Sequence, residues 1–399
     1  MPDLVVWSQE EPDEISRLGT RFLVFPQAPY VPGYERPEPV WISTPLGAVR
    51  AGPSDDRLYV VDPLLGKAPY DYPYLPPFVG AVSPPVEPGP DGHFDHLAVG
   101  TREFMAAHSF ACVRRMLDIA ESYLGRPVPW FFAPTYERLE IVPHLEWDNA
   151  QSGFGFLELG RDDSLGEPFP FALNFDAIAH ETGHMILFGA VGLPRWTAPG
   201  IDFLAYHETV ADYLSMIGLL HFDTALDRIL RRTRGQLMIV NELDRLAELT
   251  DEKSVRTASH SLKMGDVGNE VHDRSKPFTG ALFDSFLDIH HLILVERGLS
   301  SLDIRDLDEL RRDLTQDEIE AELAIPRADY ELRHFAVKSA LIEARDLIGE
   351  TLAHSWSNLD ADRFSFRDAA EAVVQAAAAG RARRFADRIF ESFAWRQFF

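Results

Sequence analysis

The chain has 399 residues, of which 46% are hydrophobic and 25% are charged, so its composition is that of an ordinary globular protein. Disordered, collagenous and low-complexity architectures are therefore excluded. There are 38 lysine and arginine residues against 63 aspartate and glutamate residues, and the resulting net charge of −25 repels phosphate backbones and anionic lipid surfaces. We expect neither nucleic acid nor a membrane among the partners of the protein.

The sequence has no recognisable targeting segment. Its start, MPDLVVWSQEEPDE, lacks the basic and apolar regions of a secretory signal, and no apolar run reaches the roughly 18 residues that span a bilayer. The single cysteine, Cys112, excludes an internal disulfide and a cysteine-rich zinc module. We expect a soluble, cytoplasmic protein, with export by a non-classical route as the alternative. The oligomeric state is left open.

The first 95 residues are rich in proline, which removes backbone donors and favours short strands and extended loops. Four short runs in this region have the composition of strands: DLVVW, RFLVF, PVWIST and RLYVVD. The aromatic stretch 68–78 is interpreted as a packed extended loop, with a docking segment as the alternative. The region as a whole is predicted to be β-rich.

The chain then becomes mixed and finally helical. Apolar residues recur at alternating spacings of four and three from Thr101 to Leu124, which predicts a helix that Gly125 ends. The runs VPWFFAP, RLEIVPHLEW and SGFGFLELG predict further strands. After Pro170, helices are predicted near 176–190, 202–221, 224–248, 278–296, 307–323, 332–354, 366–379 and 382–397.

These elements predict an α+β fold with three regions. Residues 1–95 form a proline-rich, extended N-terminal region, and residues 96–190 form a mixed α/β lobe. Residues 191–399 form a mainly helical C-terminal lobe. We expect an active-site cleft between the mixed and the helical lobes.

Residues 180–184 read HETGH, which is an HExxH motif on a predicted helix. Residues four apart lie on the same face, so His180 and His184 can both reach one zinc ion at about 2.0–2.1 Å. Glu181 then lies beside the metal, where it can take a proton from metal-bound water. The alternative is a surface helix with incidental histidines. The apolar surroundings, AIAHETGHMILFGAV, disfavour it, because burying three unpartnered polar side chains is costly.

A catalytic zinc site needs a third protein ligand and an open fourth position. The next predicted helix offers Glu208, 24 residues after His184, and the turn-rich segment GLPRWTAPG between them lets the chain reverse. Asp212, one turn after Glu208, can accept the free ring N–H of a ligating histidine. His207 is adjacent to Glu208 but faces about 100° away on a helix, so it is predicted to be a packing or surface residue. The sequence thus predicts a His₂Glu site with one catalytic zinc ion.

With these motifs the sequence resembles the thermolysin-like gluzincin metallopeptidases, over roughly residues 95–380. HETGH resembles the zinc helix of that family, and HETVAD at 207–212 resembles its helix with a ligand glutamate and an aspartate. The segment Trp147–Ala150 is similar to the Asn-Ala of the family's edge strand, which implies that Asn149 and Ala150 bind the substrate backbone. The alternative is a simple turn at this position.

The same resemblance extends to GNEVH at 268–272, which implies that His272 stabilises the oxyanion of the tetrahedral intermediate; a plain loop histidine is the alternative. The resemblance implies a zinc-dependent endopeptidase that hydrolyses internal peptide bonds of a peptide or protein substrate. It also implies a zincin-like fold. A non-catalytic relative that binds peptides or a partner, and a zinc hydrolase of non-peptide amides, are the alternatives. No counterpart of the family's acidic calcium cluster is found, so calcium dependence is left open.

Overall fold

The structure is a computed structural model that describes residues 18–163, 168–195, 200–238, 243, 245–250, 253–257, 260–301 and 327–399. The chain divides into two compact units. The N-terminal unit consists mainly of Val5–Leu193, and the C-terminal unit mainly of Pro194–Leu246 and Ser254–Phe399. The three-region division expected from the sequence stays a prediction.

The N-terminal unit is mixed α/β. Its strands are β1 (Gly19–Val24), β2 (Glu38–Pro45), β3 (Leu58–Val60), β4 (Leu139–Val142), β5 (Ala150–Gly153), β6 (Phe156–Leu159), β7 (Arg161–Asp162) and β8 (Phe169–Pro170). Its helices are α1 (Arg102–Leu124) and α2 (Phe175–Val191). The predicted strand DLVVW lies outside the described residues, and RFLVF, PVWIST and RLYVVD contain β1, β2 and β3.

Four strands form the central sheet of this unit in the order β3-β4-β6-β5. The strands β3, β4 and β6 are parallel, and β5 pairs antiparallel with β6. Side chains alternate between the two faces of the sheet, so different parts of the chain pack on each face. Helices α1 and α2 pack on one face. On the other face, Tyr70 of the segment 67–78 packs against Val142 and Phe156, which is the packed loop expected there.

Helix α1 is the central helix of the N-terminal unit. Thr101 caps its start by accepting a hydrogen bond from the Phe104 N–H, and Gly125 ends it at a φ of 64°. The structure thus confirms the predicted helix. The predicted strand VPWFFAP is wrong, because residues 131–135 form turns, with the Ala133 N–H bonded to the Trp130 carbonyl. The run SGFGFLELG is a hairpin of β5 and β6 with Gly155 in the left-handed region at its turn.

The C-terminal unit is mainly helical. Its helices are α3 (Ile201–Leu219), α4 (Asp223–Thr233), α5 (Val271–Glu296), α6 (Arg327–Ser355), α7 (Phe366–Ala379) and α8 (Ala386–Trp395). Two more strands, β9 (Arg245–Thr250) and β10 (Lys253–Thr257), pair with each other, and the stretch Ala247–Lys253 is assigned to the N-terminal unit. The predicted helix 307–323 lies outside the described residues.

Two predicted helices differ from those observed. The prediction of one helix over 224–248 is wrong, because Arg234 and Gly235 take positive φ angles of 49° and 84° and end α4. The helix predicted at 278–296 begins earlier, at Val271, because Glu270 caps it and Pro277 is accommodated in its interior. Helix α5 is long and apolar enough to cross a bilayer, but 83% of its most apolar window is buried by the rest of the chain. It is the core helix of its unit.

The architecture confirms the predicted fold class. A mixed α/β unit with a four-stranded sheet precedes a mainly helical unit, as an α+β fold requires. The sequence signal that carried this prediction was the change from short runs of strand composition to long helical periodicity after Pro170.

Candidate metal centre

Helix α2 carries the HExxH motif and is fixed at both ends. Asn174 caps its first turn by accepting a hydrogen bond from the Ala177 N–H at 3.3 Å. Asp176 in that turn, where a negative charge complements the helix dipole, accepts a hydrogen bond from the Gln27 side chain at 3.0 Å. Near the other end, an added Cβ at Gly189 would overlap the carbonyl oxygen of Pro129. The helix therefore packs closely on the loop that precedes β4.

The two histidines of the motif point to the same place. The Nε2 atoms of His180 and His184 lie 3.1 Å apart, with His184 buried and His180 half-buried. Two nitrogens bound to one tetrahedral zinc ion at about 2.0–2.1 Å lie about 3.3 Å apart, so the observed separation fits shared coordination. Ligand atoms of His180, Glu181 and His184 all lie within 4.8 Å of one another. Imidazole nitrogen with a nearby carboxylate is a donor set that suits zinc.

Glu181 is bound from the neighbouring strand. The Ser152 hydroxyl on β5 donates a hydrogen bond to Oε2 of Glu181 at 2.9 Å. The sequence analysis did not single out Ser152, because a lone serine in a strand carries no motif. The available signal was its position, two residues after Ala150, which places both side chains on the same face of β5.

Strand β5 is the outer strand at one end of the sheet order, in agreement with the edge strand implied by the resemblance. Ala150 begins this strand, and Asn149 precedes it in an exposed position, with its Oδ1 accepting a hydrogen bond from the Ala150 N–H at 2.9 Å. The Asn149 carbonyl accepts from the Gly160 N–H at 2.9 Å, and an added Cβ at Gly160 would overlap that carbonyl. The binding of substrate by Asn149 and Ala150 stays a prediction.

A buried polar network lies on the face of the sheet opposite to α2. Glu158 forms an ion pair with Lys67 and accepts hydrogen bonds from the Tyr70 N–H at 2.8 Å and from Gln151 at 2.7 Å. Glu140 accepts hydrogen bonds from Tyr70 at 2.6 Å. Burial lowers the pKa of Lys67, while its ion pair with Glu158 opposes that effect. The network was not predicted, because its members are far apart in the sequence.

In the C-terminal unit, α3 carries the two predicted acidic residues. Glu208 and Asp212 are both buried and lie one turn apart. Thr209 fixes this stretch of α3 to α5, because its hydroxyl donates to the Ser275 carbonyl at 3.1 Å and accepts from Thr279 at 3.3 Å. The ligand role of Glu208 and the supporting role of Asp212 stay predictions.

His272 lies in the first turn of α5 rather than in a loop. Its Nε2 is 3.6 Å from Oε2 of Glu208, so the C-terminal unit brings these two predicted residues together. Its Nδ1 is 2.9 Å from Oε1 of Glu270, and the same glutamate caps α5 by accepting from the Asp273 N–H at 2.7 Å. The hydrogen bond with His272 is the main cause that lowers the pKa of Glu270 to about 2. Glu270 was missed, because glutamate is not a favoured capping residue.

The sequence also offers aromatic and cationic candidates for a substrate site, namely Trp196, Phe203, Tyr206, Arg245, Arg256 and Arg274, and the structure accounts for some of them. Tyr206 and Phe203 are buried against Phe364, at ring distances of 4.9 and 5.4 Å, so both belong to the helical core. Trp196 lies outside the described residues. Arg274 forms an ion pair with Asp202 at 2.6 Å. Side chains of Arg245 and Arg256 lie outside the described part of the chain.

No protein-family model matches the chain, and no curated protein sequence matches it. Solved structures do match. One of them is the precursor of protealysin, a metalloproteinase from Serratia proteamaculans, with 12% sequence identity and a TM-score of 0.49. The match covers 90% of this chain and 92% of that chain.

Proposed function

We propose that the chain is a zinc-dependent endopeptidase that hydrolyses internal peptide bonds. The observation that carries this proposal is the pair of imidazole nitrogens 3.1 Å apart on α2, with the Glu181 carboxylate beside them. Partly buried imidazoles and a carboxylate lose hydration when they converge on one helix face, and coordination of a shared metal ion would compensate for that cost. The convergence favours a metal site over a surface helix.

His180, His184 and Glu208 would hold the ion, which completes a His₂Glu donor set with one open position. When bound, zinc would lower the pKa of a water molecule and polarise a substrate carbonyl. Asp212 would accept the ring N–H of a ligating histidine and fix its tautomer. This assignment of Glu208 and Asp212 depends on their spacing after the HExxH motif and on the one-turn separation between them.

Glu181 would act as general base and general acid. A carboxylate accepts the proton that the attacking water loses and returns it to the leaving amine. The position of Glu181, directly after the ligand His180 and inside the half-buried surroundings of α2, supports this role. Its Oε2 accepts a hydrogen bond from the Ser152 hydroxyl, which holds the carboxylate on the side of β5.

His272 would donate a hydrogen bond to the oxyanion that develops on the substrate carbonyl. Its Nδ1 lies 2.9 Å from Oε1 of Glu270, and its Nε2, on the side of Glu208, is the nitrogen that would donate to the substrate. Removing a single oxyanion donor in other hydrolases costs about 10²–10³ in kcat, which sets the scale for this residue.

The substrate would be a peptide or protein in an extended conformation. Strand β5 is the outer strand of its sheet, and an extended chain can add to such an edge through backbone hydrogen bonds. Asn149 and Ala150, at the start of β5, would bind the substrate backbone. The net charge of −25 supports the expectation of a protein without nucleic-acid or membrane partners, and the cytoplasmic location stays a prediction.

The proposal is tested by measuring zinc in the purified protein together with cleavage of casein and of internally quenched peptides. We expect one zinc ion per chain, cleavage within the peptide, loss of cleavage with a chelator and recovery with zinc. A protein that holds no zinc refutes the proposal. A protein that holds zinc and binds peptides without cutting them is instead a binding relative, and one that cleaves only small amides is a hydrolase of another class.

A pair of variants tests whether the zinc measured in the protein is bound at α2. His184→Ala should lower the bound zinc strongly, because it removes a ligand on the buried side of α2. His96→Ala is the matched control, since His96 is an exposed histidine of the same unit. Equal zinc content in both variants would show that the metal binds elsewhere.

A further inference from the structure

We propose that the Ser152 hydroxyl positions Glu181 for proton transfer, an inference that rests on the proposed function. Glu181 belongs to α2, whereas Ser152 belongs to the outer strand β5, and the 2.9 Å hydrogen bond joins them. An ionised carboxylate only accepts hydrogen bonds, so the serine is the donor. A hydrogen bond to a charged group is among the stronger ones in proteins. Ser152 is thus a positioning residue that acts through Glu181.

The direction of Ser152 is set by its strand register. Ser152 pairs with the buried Leu157 of β6, and the neighbouring pair is Gln151 with Glu158. Side chains alternate between faces along a strand, so Ser152 and Gln151 point to opposite sides of the sheet. A slip of one residue would exchange their faces and remove the hydroxyl from Glu181.

Gln151 holds this register from the far side of the sheet. Its amide donates to Oε2 of Glu158 at 2.7 Å and to the Tyr70 carbonyl at 3.1 Å. Glu158 is itself held by Lys67, and neither of these two side chains is exposed to solvent. The buried network therefore fixes the strand whose opposite face carries Ser152.

A fixed carboxylate matters for the reaction because its two oxygens are no longer equivalent. The hydrogen bond is made to Oε2 and restricts rotation of the side chain, so the carboxylate is held in one orientation. Proton transfer requires a donor and an acceptor within hydrogen-bond reach, and misplacement of catalytic groups by about 1 Å lowers rates sharply. Loss of the serine hydroxyl should therefore lower kcat more than it changes KM.

The kinetic test compares Ser152→Ala and Ser152→Thr with the wild-type protein, all loaded with zinc. We expect Ser152→Ala to keep its zinc and its KM and to lose about tenfold in kcat, equivalent to about 1.4 kcal/mol. Ser152→Thr keeps a hydroxyl and favours the strand, so it should recover kcat to within about threefold of the wild type. Ser109→Ala is the control, because it removes a buried hydroxyl that bonds only to the Met105 carbonyl within α1.

Several results would overturn the proposal. An unchanged kcat in Ser152→Ala, or an equal loss in Ser152→Thr, would show that the hydroxyl does not act through Glu181. A raised KM with an unchanged kcat would show that the substitution disturbs the substrate-binding edge instead. A parallel loss of zinc would mean that the serine supports the metal site rather than the base.

A second measurement tests the contact without any catalysis. The unfolding equilibrium is measured on the zinc-free wild type, Ser152→Ala, Glu181→Ala and the double variant. We expect the effects of the two substitutions to be non-additive by about fivefold in the unfolding equilibrium constant. Strict additivity would refute the contact. If the wild type holds zinc but cuts no peptide, the proposed function fails while this cycle still decides whether Ser152 and Glu181 are coupled.

Discussion

A buried histidine in the centre of the N-terminal unit makes the stability of the protein depend on pH. His108, in the middle of α1, is fully buried, and its Nε2 accepts a hydrogen bond from the Phe25 N–H at 3.0 Å. It also bonds to the backbone of Ala172, in the turn just before α2. Burial is the main cause that lowers the pKa of His108 to about 3. The ring is therefore neutral in the folded protein at ordinary pH.

The sign and size of the effect follow from the two pKa values. In the unfolded chain the pKa of His108 is about 6.5, whereas in the folded chain it is about 3. The stabilisation is therefore complete above pH 6.5 and is lost as the pH falls toward 3. Each pKa unit is worth about 1.36 kcal/mol, so His108 should account for about 2 kcal/mol lost between pH 7 and pH 5.

The assay measures the free energy of unfolding of the zinc-free protein by denaturant at pH 7, 6 and 5. Unfolding is followed by a spectroscopic signal that reports on the N-terminal unit. Zinc is removed so that protonation of the metal-binding histidines does not add its own pH dependence. His108→Gln should be less stable at pH 7, but should lose about 2 kcal/mol less than the wild type on going to pH 5. The exposed His96→Gln should follow the wild-type curve. Identical slopes for wild type and His108→Gln would refute the reasoning.

Three further predictions concern the site and its support. Glu181→Gln should keep its zinc and lose cleavage, because an amide cannot accept the proton; an active variant would remove the general-base assignment. Glu208→Ala should lower the zinc content measured by mass spectrometry, and unchanged content would disprove the third ligand. Lys67→Met should cost about 3–5 kcal/mol in urea unfolding, because it leaves the buried Glu158 carboxylate without its cation. Lys67→Met combined with Glu158→Gln should recover part of that loss, and no recovery would contradict the ion-pair explanation.

The elements that the sequence predicted well are those that local physics determines. The periodic apolar face of α1 and its caps at Thr101 and Gly125 all lie within 25 consecutive residues. The elements that were wrong have both distant and local causes. The run VPWFFAP has strand composition, yet it forms turns on which Gly189 of α2 packs closely. Helix α5 begins early because a glutamate serves as its cap through a bond to the backbone of Asp273.

The candidate site divides in the same way. His180, Glu181 and His184 were predicted because a single helical turn fixes their spacing, whatever the rest of the chain does. Ser152 and Glu270 were not predicted, since their significance comes from the side chains they contact. Neither residue type has a spacing rule that would have revealed its role.

The sequence by itself determined the fold class and the pair of imidazoles with their neighbouring carboxylate, because periodicity and i, i+4 spacing are properties of a continuous stretch of chain. Only the tertiary structure decided that the serine of β5 reaches Glu181, and that Lys67, Gln151 and Glu158 interact on the opposite face of the sheet. These contacts join residues up to 91 positions apart. Contacts of that length form when separate elements pack, and no local pattern encodes which side chains will then meet.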